Sequence, residues 1–178
     1  MTMSSTRVRT IAAAICLTLA VATIAGAWGF ELIGRYIPCK MCLAERIPYY
    51  TGIPFAAAAL LAAALFRADL AARILLVVVF GIFVWSAYKG VFHAGFEWGF
   101  WEGPTDCGIG GTIDRTLPLA EQLTYHAPSC DTAVWRFPNA EWGLSFAGWN
   151  AVVSMVIAIV ALYGALTRRR IVGGAAYA

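Results

Sequence analysis

Residues Ile11 to Phe30 read IAAAICLTLAVATIAGAWGF, a run without a single charge. A helix that crosses a bilayer needs about 20 mostly apolar residues, so this run by itself predicts a spanning helix. Pro48–Phe66 (PYYTGIPFAAAALLAAALF) and Leu144–Thr167 (LSFAGWNAVVSMVIAIVALYGALT) repeat the pattern, also without charge. Ile74–Tyr88 (ILLVVVFGIFVWSAY) is shorter. It extends to about His93 if Lys89 stands near the helix end, where its ammonium can reach water. The expected spans are 11–30, 48–66, 73–92 and 144–167, leaving loops over 31–47 and 93–143.

Composition agrees with this reading. The 178 residues are 61% hydrophobic and 13% charged, whereas a soluble domain is about half apolar and about a quarter charged. The expected fold is all-α and integral to a membrane: a single domain over 1–178, built as a four-helix transmembrane bundle. The first span has some features of a cleaved signal, with Arg7 and Arg9 before it and Ala25-Gly26-Ala27 near its end. Its apolar run is longer than the roughly 7–15 residues of a signal core. Trp28 and Phe30 follow as in a helix meeting an interface, so the span is expected to be retained.

Lysine and arginine set the orientation. One side carries Arg7, Arg9, Arg67, Arg73 and Arg168 to Arg170 against Asp69 alone, a net +6. The other carries six basic residues against nine acids, a net −3. Both termini and the Arg67–Arg73 turn are therefore expected in the cytoplasm, with the other two loops outside. The overall charge of +3 says nothing for nucleic acid, because the basic residues flank spans. Cys39, Cys42, Cys107 and Cys130 fall in the outward loops, where disulfides form and persist. Cys16 lies mid-span and reads as a small buried hydrophobe.

The second loop holds Gly103-Pro104, Gly108, Gly110-Gly111 and Pro118, Pro128 and Pro138, and is expected to be mostly irregular. Thr112–Tyr125 has near-helical apolar spacing interrupted by Pro118, which leaves two readings: a short amphipathic interfacial helix or an ordinary packed turn. Trp98, Phe100, Trp101, Trp135, Phe137 and Trp142 give the loop ends the aromatic character of an interfacial belt.

Cys39-Lys40-Met41-Cys42 is a C-x-x-C. Such pairs alternate between dithiol and disulfide and often contain a thiol of lowered pKa. Pro48 marks a clear start for the second helix, although Leu43-Ala44-Glu45 suits an earlier one. If the helix begins near Cys42, its N-terminal dipole favours thiolate there. Arg46 would then stand one turn on, over the same face. A zinc site made by all four loop cysteines is a rival reading. Structural zinc usually takes two close-spaced knuckles, and twenty-two residues separate Cys107 from Cys130, so no metal is expected. Static disulfides are a second rival. A C-x-x-C ring is a poor staple, because stabilisation grows with loop length, whereas Cys107–Cys130 would make a respectable one.

Two disulfides on one face suggest an electron relay, since thiolate attack passes electrons from pair to pair. The chain has no haem motif, dinucleotide fingerprint or flavin signature, so the acceptor a bilayer offers is a lipid quinone. Arg46 would hydrogen-bond its head group or stabilise its developing charge. His93 and Glu97, four residues apart at the outer end of the third helix, either relay protons to the quinone or form an interfacial pair without a catalytic role. Glu45 either orients Arg46 or is a solvated acid at the helix start. Asn150 and Ser154 read as interhelical hydrogen-bonding groups.

The order of the C-x-x-C, Glu45-Arg46 and the second span resembles the disulfide bond formation protein B (DsbB) family. So do His93-Ala-Gly-Phe-Glu97-Trp98, Trp101-Glu-Gly-Pro-Thr-Asp-Cys107 and Leu144-Ser-Phe-Ala-Gly-Trp-Asn150. The resemblance implies a bacterial inner-membrane, quinone-dependent protein-disulfide oxidoreductase with periplasmic cysteine loops. It implies that a reduced thioredoxin-like oxidase of DsbA type attacks Cys107–Cys130 at Cys107, that Cys130 exchanges with the first pair through Cys39, and that Cys42 is left as a thiolate beside Arg46. It implies ubiquinone as the aerobic acceptor and menaquinone as the anaerobic one. The candidate catalytic residues are thus Cys39, Cys42, Cys107 and Cys130. Arg46, Cys42, His93 and Glu97 are the candidate quinone-binding residues. A vitamin K epoxide reductase-like enzyme would place its C-x-x-C near the last helix rather than before the second. A non-catalytic membrane protein with structural disulfides is the remaining alternative.

Overall fold

The computed structural model describes residues 4–104, 118 and 130–167. Four helices make up most of it: α1 (Ser5–Leu32), α2 (Lys40–Ala64), α3 (Asp69–Glu97) and α4 (Phe146–Leu166). All four are long and apolar enough to cross a membrane. At about 1.5 Å per residue, even α4, with 21 residues, reaches across a hydrocarbon core of about 30 Å. The helices alternate in direction around a ring. Helix α3 packs on α2 and α4, and α1 packs on α2 and α4.

The helices run further than the apolar blocks that announce them. Helix α2 begins at Lys40, not Pro48, and holds both Pro48 and Pro54 inside it. A proline within a helix leaves the carbonyl four residues earlier without its backbone donor. For Pro48 that carbonyl belongs to Ala44, and it accepts instead from Lys89 Nζ of α3 at 3.1 Å. Lys89 therefore does not end its helix. It is half-buried, its ammonium repairs α2, and α3 continues through His93 to Glu97. The expected loop over 31–47 shrinks accordingly, since α1 runs to Leu32 and Lys40–Ile47 is helical.

Small residues fill the interfaces, as expected where lipid gives helices no hydrophobic reason to associate and backbones must approach closely. Ala13, Ala20, Ala56, Ala59, Ala158 and Ala161 are fully buried. A Cβ on Gly90 would stand 2.7 Å from the backbone nitrogen of Ala151, so α3 and α4 touch backbone to backbone there. Phe83 is the largest fully buried side chain among the described residues and meets Tyr49 edge to face, ring centroids 5.3 Å apart. Cys16 is buried and free, its thiol 3.6 Å from the Ile157 carbonyl. Large apolar side chains such as Leu65, Phe66, Leu70 and Ile159 point outward, where lipid replaces a core.

At one end Arg9 ties three helices together. It pairs with Asp69 of α3 at 3.0 Å and donates to the Thr167 carbonyl after α4 at 2.6 Å. The start of α1, the α2–α3 turn and the end of α4 thus share a face, as four successive spans predict. Cys39, Cys42 and Cys130 lie at the opposite end. There a short ladder pairs β1 (Arg136–Phe137) with β2 (Leu144–Ser145) in antiparallel register, two strands in a stretch whose composition predicts irregular loop. The bond between Phe137 and Pro138 is cis. Thr112–Tyr125, Pro118 apart, lies outside the described residues, and so does Cys107.

Candidate functional site

Cys39 and Cys42 sit in the first turn of α2. Cys39 is the N-cap, its Sγ accepting from the Cys42 backbone N–H at 3.0 Å. The two are joined as a disulfide with Cα atoms 5.0 Å apart. The early helix start therefore places the pair at the positive end of the α2 dipole, where a thiolate is stabilised once the bond is broken. Cys39 is 1% exposed, and Cys42 is half-buried beside a cavity.

That cavity, about 470 Å³, lies between α1, α2, the outer end of α3, α4 and the segment leading to β1. Its walls are mostly apolar. Phe30, Trp135 and Phe146 form one aromatic wall, with centroids 4.6 to 5.3 Å apart. Cys39, Cys42, Arg46 and His93 line it as well. Arg46 stands one turn after Cys42, as expected. Its guanidinium is fixed by an ion pair with Glu31 of α1 and lies over the Trp28 ring, 5.3 Å from the centroid.

Glu45 does not orient Arg46, and it is not a solvated acid. It is 8% exposed and faces away from Arg46 into the bundle. One oxygen meets His93 Nδ1 at 2.7 Å, and the other accepts from Asn150 Nδ2 at 2.9 Å. Tyr49 donates to Asn150 Oδ1 at 2.7 Å. Ser154 donates to Ser86 Oγ at 2.9 Å. Asn150 and Ser154 are thus interhelical hydrogen-bonding groups, and the network they join runs up to a candidate site residue. His93 is 2% exposed, with Nε2 3.9 Å from Cys39 Sγ. Glu97 accepts from Ser145 Oγ, the N-cap of α4, and its other oxygen is 3.9 Å from His93 Nε2. The His93–Glu97 pair is therefore turned inward on the disulfide.

Cys130 is buried and disulfide-bonded, and its backbone lies beside the His93 ring. The second loop thus returns to within one side chain of Cys39. Of the predicted site residues, Cys39, Cys42, Cys130, Arg46, His93 and Glu97 gather at one end of the bundle. Sequence reasoning missed Glu31, Trp28, Tyr49 and the true partners of Glu45. The Glu45–Tyr49 spacing of one helical turn was the available signal for the inward face; nothing in sequence announces the pairing of Glu31 with Arg46.

The sequence model of disulfide bond formation protein DsbB matches residues 9–164. The chain belongs to the DsbB family. Membership makes it a multi-pass membrane protein of disulfide-bond formation, with the thiol oxidoreductase character of a family that is generally quinone-linked. No curated protein and no solved structure matches the chain significantly. The match reaches from α1 nearly to the end of α4, so the whole cysteine-bearing end of the bundle lies inside the DsbB-like region.

Proposed function

We propose that this DsbB-family protein re-oxidises the dithiol of a DsbA-type thioredoxin-like oxidase and passes the electrons to a membrane quinone. The observation that carries the reading is one cavity shared by the Cys39–Cys42 disulfide and Arg46. Its volume falls within the roughly 300–1,000 Å³ of small-molecule sites. Its apolar and aromatic walls suit a flat ring, and the fixed guanidinium supplies the hydrogen-bond donor such a ring's oxygen requires.

The chain's own residues would act in this order. A partner thiolate attacks Cys107, the Cys107–Cys130 bond breaks, and Cys130 leaves as a thiolate. The partner's second thiolate displaces Cys107, so the partner departs as a disulfide. Cys130 attacks Cys39, and Cys42 leaves as a thiolate beside Arg46. Cys107 then attacks Cys130, which restores the loop disulfide and leaves Cys39 and Cys42 as a dithiol. Two electrons and two protons depart from that dithiol as its disulfide re-forms. A bound quinone supplies the acceptor for both, with ubiquinone as the aerobic form and menaquinone as the anaerobic one. His93 Nε2, 3.9 Å from Cys39 Sγ, is positioned to take the Cys39 proton, and the Glu45 carboxylate steadies the ring. Glu97 Oε1 stands 3.9 Å from the same nitrogen.

The charge asymmetry supports an inner-membrane orientation with both termini cytoplasmic and the cysteine end periplasmic. The test uses purified protein in detergent with a reduced DsbA-type oxidase and a soluble ubiquinone. Loss of quinone absorbance, in step with partner oxidation, is expected. No quinone reduction, with Cys39 and Cys42 never reduced or in mixed disulfide, overturns the reading.

A further inference from the structure

The Cys39–Cys42 disulfide has a third potential ligand beside it. The ligand atoms of Cys39, Cys42 and His93 all lie within 4.8 Å of one another. In the disulfide state neither sulfur is a thiolate, and a thiolate is what a soft metal ion takes. Breaking the S–S bond changes this. The sulfurs separate to contact distance, and each becomes a ligand. Tetrahedral zinc holds sulfur at about 2.3 Å and imidazole nitrogen at about 2.0–2.1 Å, which corresponds to a sulfur-to-nitrogen separation of about 3.5 Å. Cys39 Sγ and His93 Nε2 are 3.9 Å apart already.

Independent support comes from behind the histidine. Metal-binding imidazoles almost always donate their other ring N–H to a carboxylate or carbonyl, which fixes the ring and raises its basicity. His93 Nδ1 meets Glu45 at 2.7 Å, and Glu45 is itself fixed by Asn150. The ring therefore holds Nε2 on the Cys39 side, within reach of both sulfurs. All three candidate ligands line the 470 Å³ cavity, which leaves room beside them for an ion and a fourth ligand.

We propose that the dithiol form of the chain binds one soft divalent cation of the zinc class through Cys39 Sγ, Cys42 Sγ and His93 Nε2, and that the ion locks the first cysteine pair in its reduced state. Binding releases the two thiol protons, and the Nε2 proton if one is present. No electrons move, since both sulfurs stay at the thiol oxidation level. The ion competes with closure of the disulfide, because both use the same sulfur lone pairs. The site needs only the dithiol, whatever the electron acceptor, so it stands or falls separately from the quinone reading.

The probe is Cd²⁺, whose thiolate complexes absorb in the ultraviolet, followed by Zn²⁺ in competition. Full-length protein carrying Cys107→Ser and Cys130→Ser is reduced with a phosphine, freed of excess reductant and titrated in detergent. The expected result is a thiolate-to-cadmium band that saturates at one ion per chain, is reversed by Zn²⁺, and is absent from the same protein left oxidised. A rise in melting temperature should appear in the reduced form only. Glu45→Gln should weaken the site about 10–100-fold, the usual loss on removing the group behind a ligating histidine, and His93→Gln should weaken it more. No band in the reduced protein overturns the proposal. So does a band of undiminished affinity in His93→Gln, which would leave a two-cysteine site only.

Discussion

Lys89 lies eight residues short of the end of α3, yet its ammonium bonds the one carbonyl that Pro48 disables in α2, the Ala44 oxygen at 3.1 Å. A cation near the membrane thus acts as a substitute backbone donor. The repair sits between Cys42 and the cavity-facing turn that carries Glu45 and Arg46, so it supports the part of α2 on which the candidate site depends.

Replacing Lys89 with Met should therefore destabilise the protein by about 1–3 kcal/mol, the range for leaving a buried acceptor unpaired. The same change in a Pro48→Ala background should cost much less, because residue 48 then supplies its own N–H. A double-mutant cycle on thermal unfolding in detergent measures this coupling. Equal losses in both backgrounds would show that Lys89 acts through something other than the Ala44 carbonyl.

Gly90 and Gly81 are both inside α3 but face different surroundings. A Cβ at Gly90 would collide with the α4 backbone at Ala151, whereas nothing lies within 4 Å of one at Gly81. Gly90→Ala should lower the melting temperature clearly. Gly81→Ala should be neutral or slightly stabilising, since alanine in a helix is favoured over glycine by about 1 kcal/mol. Parallel melting curves of the two variants decide it.

Arg46 is held by Glu31 and Trp28 rather than by Glu45, and it lines the cavity. Arg46→Met should raise the apparent KM for a soluble quinone at least about tenfold, the loss of one charge-assisted hydrogen bond of about 1.5–3 kcal/mol. Disulfide exchange between the partner and Cys107–Cys130, followed without quinone, should be unchanged. Glu31→Gln should show the same direction with a smaller effect, because it loosens the guanidinium without removing it.

Cys130 reaches the His93 ring, and that ring reaches Cys39. In a chain carrying Cys42→Ser and Cys107→Ser, a Cys39–Cys130 bond should therefore form on mild oxidation. Peptide mapping under non-reducing conditions would find it as the dominant crosslink. A chain that yields only intermolecular dimers would contradict exchange through Cys39.

Much of this was legible in the residues. The four charge-free runs determined that there are four helices in a membrane, because no water in the bilayer core can satisfy an open backbone. The number of spans predicted which ends share a face, and the Arg9–Asp69 and Arg9–Thr167 contacts agree; the lysine and arginine count predicted only which face is cytoplasmic. The C-x-x-C and Arg46 one turn on named the chemistry and the face it would occupy. The tertiary structure decided the rest. Pro48 reads as a helix start in any local rule, since only a side chain from another helix can replace its missing donor. Glu45 reads as a partner for its neighbour Arg46, yet the two point to different sides of α2, one toward α3 and α4, the other toward α1. The Cys39–Cys42 pair became a site in an apolar cavity that the buried His93–Glu45 pair also lines, through contacts between helices far apart in the chain. Local sequence sets the periodicity of each helix, but which faces meet is decided by the packing of all four.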